Sequence, residues 1–270
     1  MTPNLSIVTV GKNDDHGMPY SVLDRLKNFL DSIDPGVEIV IVEWNPPSDR
    51  PQFREFPWIK ERATVYTVPH EIHIRYPNHD RLSLFEMIAK NVGIRRATRD
   101  WILSTNLDIM FSREIMRRIQ EPLDQNCYYR ADRRDMDKPI PTNLPLDEKL
   151  RLCEQSVFLL QYRDGEGWEQ PDGKPAPHYN ASGDFMLMTR DNWHAQQGYP
   201  EWVTQGQLDS YGVYMARRRG LEQVTLDERM YHQIHVPCTE GRPITPWNPE
   251  KLLPPDPVNG DNWGLADQIL

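Results

Sequence analysis

The chain has 270 residues, enough to bury a sizeable core, and its composition (38% hydrophobic, 26% charged) is that of a globular protein. The net charge of −9 disfavours nucleic acid as the main partner, because binding a phosphate backbone requires clustered Lys and Arg. Three widely spaced cysteines give neither a disulfide framework nor a zinc motif, and no leader or long apolar run is visible. These features predict a cytoplasmic chain without a membrane span.

The first half of the sequence alternates strands and helices. Apolar, β-branched runs predict four strands, at 5–10, 37–44, 63–68 and 100–105. Helical periodicity predicts helices over 20–33 and 81–97, and Ser112 is a candidate N-cap for the next helix. This alternation predicts an α/β fold with a mostly parallel central sheet and helices on both faces.

The second half is less regular. We expect a strand followed by a helix start over 183–193, a helix over 204–220, and a short strand or turn over 229–237. Two further segments read as surface excursions, 141–154 and 164–178. We therefore expect one domain over 1–240, divided at about residue 110, followed by a Pro-rich extension over 241–270 that packs on it.

Polar residues stand where the predicted strands end. The fourth strand runs into Asn106-Leu107-Asp108, and residues i and i+2 of a strand point to the same side. The first two strands end at Thr9 and Glu43. Since ligands of parallel sheets bind outside the carboxyl ends of the strands, these three strand ends predict one crevice.

Several familiar motifs are missing from the sequence. It contains no phosphate-binding loop, no Gly-x-Gly-x-x-Gly after the first strand and no Gly-x-Ser-x-Gly, and "HEIH" is one residue short of a zinc helix. The remaining candidates are Asn106, Asp108, Asp184, Asp209, His232 and His235. Taken singly, each also fits a turn former, a helix cap or a satisfied histidine. His232 and His235 are three residues apart, so on one strand only one of them is expected to reach a given site.

Taken in order, six stretches resemble the nucleotide-sugar-dependent glycosyltransferases of the GT-A fold over roughly residues 5–236. The third stretch ends in Asn106-Leu107-Asp108, at the position of the family's Asp-x-Asp motif, and the last carries the late histidines. The stretches are SIVTVGKND, VEIVIVEWNPP, FEMIAKNVGIRRATRDWILSTNLDI, SGDFMLMTRDNWHAQQGYPEW, QLDSYGVYMARRRGL and MYHQIHV.

The resemblance implies a nucleoside-diphosphate sugar as donor, with UDP or GDP as the nucleotide. It also implies Mn²⁺ or Mg²⁺ on Asp108, together with Asn106 and His232 or His235. A hard divalent cation suits a diphosphate, and an imidazole ligand favours Mn²⁺ over Mg²⁺. The residues expected to contact the donor are Thr9, Gly11, Asn13, Glu43, Lys90, Asn91, Asn106, Leu107 and Asp108.

On the acceptor side, the resemblance places Asp209 at the position of the general base in inverting enzymes. The acceptor is then a carbohydrate or glycolipid hydroxyl, which must lose its proton during transfer. Residues expected near the acceptor are Gly183, Asp184, Trp202 and Trp263, and Arg95, Arg130 and Arg133 are further candidates for sugar or phosphate contacts. Departures from the family pattern are Asn106 and Glu43, each where an Asp is usual, and Leu208 in place of the first acid of the acidic pair.

Two other readings stay open at this point. A nucleotidyltransferase shares this type of sheet and acidic site, although the segment after the first strand lacks the Gly-rich, basic signature that holds a triphosphate. The second alternative is a non-catalytic carbohydrate-binding module derived from a glycosyltransferase. Loss of activity would explain why Asn106 and Leu208 stand where the family has acidic residues. The sequence does not predict an oligomeric state.

Overall fold

A computed structural model describes residues 4–15, 21–161, 177–204, 207–235 and 258–270. The strands in these residues are β1 (Leu5–Gly11), β2 (Glu38–Trp44), β3 (Thr64–Val68), β4 (Trp101–Ser104), β5 (Ile109–Phe111), β6 (Cys127–Met136), β7 (Val157–Gln161), β8 (Met186–Thr189) and β9 (Glu222–His232). The helices are α1 (Val22–Asp31), α2 (Pro57–Lys60), α3 (His70–His73), α4 (Glu86–Arg96), α5 (Arg113–Arg118), α6 (Leu146–Ser156), α7 (Arg190–Gln196) and α8 (Leu208–Arg218).

The strands form one mixed sheet in the order β3-β2-β1-β4-β8-β6-β9-β5, with β7 paired to β6. The first four strands of that order are mutually parallel, as the alternating sequence pattern predicts. Beyond β4 the sheet continues through antiparallel pairs with β8 and a long parallel pair between β6 and β9. The predicted α/β architecture is therefore confirmed, and its parallel part lies in the first half of the chain.

Apolar side chains alternate between the two faces of the sheet, and each face is covered by helices. Ile7 and Ile39 pack with α1 and α5 on one face, whereas Val8 and Val40 pack with α4, α7 and α8 on the other. Gly93 of α4 allows that helix to lie close, because a Cβ there would sit 2.4 Å from Val8. The strands bury both faces, which explains their continuous β-branched sequences.

The predicted helix cap and the predicted strands of the first half agree closely with the structure. Ser112 caps α5 by accepting a hydrogen bond from the Ile115 N–H. The helix predicted over 81–97 begins later, at Glu86. Segment 141–154 is wrong as a surface excursion, because it contains most of α6, which buries Lys149 and Cys153. Residues 164–176 of the second predicted excursion and residues 241–257 of the Pro-rich extension lie outside the described part of the chain.

The C-terminal residues 258–270 lie against α4. The guanidinium of Arg95 donates to the carbonyl of Trp263 and stacks on its ring at 4.9 Å, and Arg96 donates to the carbonyls of Gly264 and Leu265. Both arginines are therefore bound by this segment, and contact of Arg95 with sugar or phosphate stays a prediction. Across the residues that the structure describes, no helix combines the length and apolar character needed to cross a membrane.

Candidate active site

The turn between β4 and β5 carries Asp108 at the carboxyl end of the parallel strands. Thr105 closes β4 by donating its hydroxyl to the Asp184 carbonyl, and the Ile109 N–H donates to the Asn106 carbonyl. Leu107 turns inward over Gly11, where a Cβ would lie 2.0 Å from its Cδ2 atom. A side chain at position 11 would displace the end of the Leu107 side chain, which is buried and leaves only the backbone of Leu107 to face a ligand.

Both late histidines reach Asp108, which corrects the expectation that only one would. His232 is the last residue of β9, and the chain then leaves the strand. Gln233 turns into the core, where its amide donates to the Arg25 carbonyl and accepts from Asn28, while its backbone N–H donates to the Asp108 carbonyl. The alternation of side chains between the two faces of β9 ends at His232, so His235 lies on the same side as His232.

The three side chains form a compact cluster. The Oδ2 atom of Asp108 lies 3.1 Å from His235 Nε2 and 3.7 Å from His232 Nε2, and the two Nε2 atoms are 3.1 Å apart. Burial alone would raise the pKa of Asp108, but the two histidines outweigh it and hold that pKa well below its ordinary value.

The cluster fits a divalent cation. One ligand atom from each of the three residues lies within 4.8 Å of the others, and Asp108 Oδ1 is buried without a hydrogen-bond partner. One carboxylate and two imidazoles form a donor set that first-row transition metals accept readily. Asn106 does not join this cluster through its amide nitrogen, which donates to Asp184 Oδ1 at 2.7 Å.

Asp184 links the cluster to the acceptor side of the crevice. Its second oxygen accepts from the Arg133 guanidinium at 2.8 Å, so both carboxylate oxygens are occupied by protein donors. Arg133 also contacts Asp135 on β6, which in turn faces His232. Asp184 is thus an internal support in this structure, rather than a carboxylate open to a sugar hydroxyl as predicted.

Asp209 lies in the first turn of α8, beside the segment that precedes β8. Its Oδ2 accepts from the Gly183 N–H at 2.7 Å and from the Ser182 hydroxyl at 3.0 Å. Its other oxygen makes no hydrogen bond to any residue that the structure describes. The residue lines a cavity of about 330 Å³, whose described walls are Tyr179, Asn180, Ala181, Gln207, Asp209 and Ser210.

Two fully buried cations bind the backbone of residues 178–183, the segment that precedes β8. The Arg130 guanidinium donates to the carbonyls of His178, Asn180 and Ser182. The Lys90 ammonium donates to the Gly183 carbonyl at 2.7 Å and pairs with Glu86 on the same helix. Both side chains are fully buried and their charges contact protein groups, which argues against the predicted contacts of Lys90 and Arg130 with donor or phosphate.

Three further residues predicted to contact donor or acceptor also have partners within the protein. The Asn91 amide is buried and bonds the backbone of Tyr199 in both directions, and it also donates to Glu201. Trp263 is buried between Arg95 and the His194 ring, so it is not an acceptor platform. Trp202 is half-buried and packs edge-on against the Tyr211 ring at 5.0 Å.

The ends of β1 and β2 lie next to one another, with Gly11 opposite Glu43. Thr9 is fully buried. Asn13 is nearly fully buried, and its amide donates to the Pro51 carbonyl. Glu43 is enclosed: one carboxylate oxygen accepts from the Phe53 N–H at 2.9 Å, and the other has no hydrogen-bond partner. Burial raises the pKa of Glu43 to about 7, and the Phe53 N–H offsets part of that rise. Contact between this carboxyl group and a nucleotide base would require the residues around Phe53 to move.

Sequence reasoning missed Asp135 and Gln233, the two residues that fix the histidines. The available signal was the pair Arg133 and Asp135, two residues apart and therefore on one side of a strand. That signal becomes readable only once β6 is recognised as a strand.

Comparison with known proteins places this geometry in a known fold. No protein-family model matches the sequence, and no curated protein does. Among the solved structures that match are three that cover most of this chain. A mannosyltransferase from Pyrobaculum calidifontis, in complex with GDP-Man and Mn²⁺, has a TM-score of 0.50 and 15% identity over 89% of this chain. TarS from S. aureus has a TM-score of 0.54 and 11% identity over 85%. GalNAc-T7 with UDP, GalNAc and Mn²⁺ has a TM-score of 0.50 and 12% identity over 86%.

The matched region takes in 59%, 36% and 44% of those three chains, so this chain spans only part of their length. At such low identity the likeness concerns the fold alone. The GT-A fold that the sequence resemblance predicts is confirmed.

Proposed function

We propose that this protein is a metal-dependent glycosyltransferase, which moves a sugar from a nucleoside diphosphate to an acceptor hydroxyl. The convergence of Asp108, His232 and His235 at the carboxyl ends of the strands of a GT-A fold carries the proposal. Two of the similar structures contain Mn²⁺ together with GDP-Man or with UDP and GalNAc, which supports the same classes of cation and donor here.

Asp108, His232 and His235 would hold the cation through one carboxylate oxygen and two imidazole nitrogens. When bound, a divalent cation stabilises the negative charge that collects on a departing diphosphate. Two imidazoles favour Mn²⁺ over Mg²⁺, because Mg²⁺ prefers oxygen ligands. The donor would lie over the ends of β1 and β2, near Gly11 and Asn13, with the base directed toward Glu43.

Asp209 is the proposed general base of an inverting transfer. The acceptor oxygen attacks the anomeric carbon as the bond from that carbon to the diphosphate oxygen breaks, and the acceptor proton passes to Asp209. The Gly183 N–H and the Ser182 hydroxyl fix one oxygen of this carboxylate, which leaves the other for the acceptor. The cavity beside Asp209 is large enough for a sugar ring, so the proposed acceptor is a carbohydrate or glycolipid.

Asp209→Asn tests the assignment of the base. With Mn²⁺ present, release of nucleoside diphosphate from the donor should fall by about 10²–10⁴-fold, the usual contribution of a positioned base. Donor binding, followed by the thermal shift on adding the nucleotide, should stay unchanged. Asp191→Asn is the matched control, because Asp191 is an exposed acid in the first turn of α7. Turnover that survives Asp209→Asn would refute the role of Asp209.

A further inference from the structure

Asp135 is a buried carboxylate that faces His232 from the neighbouring strand. The two residues are register partners in the parallel pair of β6 and β9, and His232 Nδ1 lies 2.8 Å from Asp135 Oδ1. A carboxylate accepts here, so the neutral imidazole carries its proton on Nδ1 and presents the Nε2 lone pair. That lone pair points to the position shared by Asp108 and His235.

Arg133 holds Asp135 in place from the other side. Its Nη2 donates to Asp135 Oδ2 at 3.2 Å and its Nε lies 3.1 Å from Oδ1, while its Nη1 donates to Asp184. Asp184 also accepts from Asn106, two residues before Asp108. One guanidinium thus connects the carboxylate behind His232 to the turn that carries Asp108, so that both sides of the cluster are fixed to a common support.

We propose that Asp135 is a positioning residue for the metal site, which sets the tautomer and ring orientation of His232 and is itself fixed by Arg133. This inference rests on the proposed function, since it assumes that His232 binds a cation. Carboxylates behind metal-binding histidines raise metal affinity by about 10–100-fold. Asp135 touches neither donor nor acceptor, and it acts only through His232.

The first test measures Mn²⁺ binding without nucleotide, from the loss of the electron paramagnetic resonance signal of free Mn²⁺. Asp135→Asn removes the negative charge and one of the two acceptor oxygens, so Arg133 and the Nδ1–H of His232 compete for a single amide oxygen and the ring of His232 is held less firmly. We expect Mn²⁺ affinity to fall by about 10–100-fold. Glu38→Gln is the matched control, because Glu38 accepts hydrogen bonds from Ser6 and Thr98 at the opposite ends of the strands.

The outcomes separate this inference from the proposed function. Wild-type binding that Asp108→Asn abolishes, together with unchanged binding in Asp135→Asn, would overturn the role of Asp135 and leave the metal site standing. Wild-type protein that binds no Mn²⁺ would overturn both proposals.

A second measurement needs no variant, and so it holds even if Asp135→Asn fails to fold. Long-range ¹H–¹⁵N spectra of the metal-free wild-type protein, recorded over a series of alkaline pH values, show which ring nitrogen of each neutral histidine carries the proton. We expect His232 to carry its proton on Nδ1. A proton on Nε2 of His232 would overturn the inference.

Discussion

Glu43→Gln replaces a buried carboxyl group by a neutral group of the same shape, and so it changes how stability depends on pH. Burial raises the pKa of Glu43 from 4.5 to about 7 in the folded protein. A raised pKa means that the folded state holds this proton more tightly, so the contribution is fully present below pH 4.5 and is lost as pH rises through 7. At about 1.36 kcal/mol per pKa unit, the loss amounts to about 3 kcal/mol.

Urea denaturation of wild-type protein and Glu43→Gln between pH of about 4.5 and 8 measures this effect. The difference in free energy of unfolding, variant minus wild type, should be near zero at the acid end and rise to about 3 kcal/mol in favour of the variant at the alkaline end. Because other groups titrate equally in both proteins, the difference isolates Glu43. A difference that stays constant with pH would refute the claim that burial raises this pKa.

Two further pairs of substitutions test the packing and the buried charge. Gly198→Ala adds a Cβ 2.1 Å from Asn91 Oδ1 at a positive φ, so it should cost about 2–5 kcal/mol, whereas Gly220→Ala, also at a positive φ but with nothing within 4 Å, should cost about 1–2 kcal/mol. Equal shifts in urea midpoint would contradict this account. Lys149→Met should change stability by less than about 1 kcal/mol, while Asp31→Asn, which leaves the buried Lys149 ammonium without its partner, should cost up to about 3 kcal/mol. A Lys149→Met variant that is the less stable of the two in thermal unfolding would refute that reasoning.

The parallel half of the fold is readable from the sequence because its strands are buried on both faces. Runs such as β1 and β2 carry β-branched residues on each side, and α1 shows a clear apolar stripe between them. Asp108 could be predicted as a site residue for the same reason, since it lies just after a strand that the pattern predicts. Here local sequence and tertiary environment agree.

β6 escaped prediction because charged residues interrupt its buried apolar positions. Arg130 and Asp135 are buried in it, yet Arg130 is satisfied by carbonyls 48, 50 and 52 residues away in the chain, and Asp135 by Arg133 and by His232 on β9. Apolar alternation is a property of the local sequence, so it does not reveal hydrogen-bond partners that only the fold brings close. The same limit explains Lys90 and Asn91, which look like ligand contacts in the sequence and are internal supports in the structure.

The histidine pair shows a different limit. On a strand, two residues spaced three apart point to opposite faces. However, β9 ends at His232, and Gln233 anchors the following turn to α1. The exact end of a strand is the least predictable part of an element, and here it decides whether one histidine or two reach Asp108.

The most direct test of the account is thermal unfolding of wild-type protein and Asp108→Asn with UDP and with GDP, each with and without Mn²⁺. A ligand at about 100 times its dissociation constant stabilises by about 2.7 kcal/mol, which raises the midpoint by about 5–11 °C for a chain of this size. We predict a rise of this order for one of the two diphosphates with wild-type protein, only when Mn²⁺ is present, and its loss in Asp108→Asn. No Mn²⁺-dependent rise with either nucleotide, or an equal rise in Asp108→Asn, would contradict the proposed metal-dependent donor site.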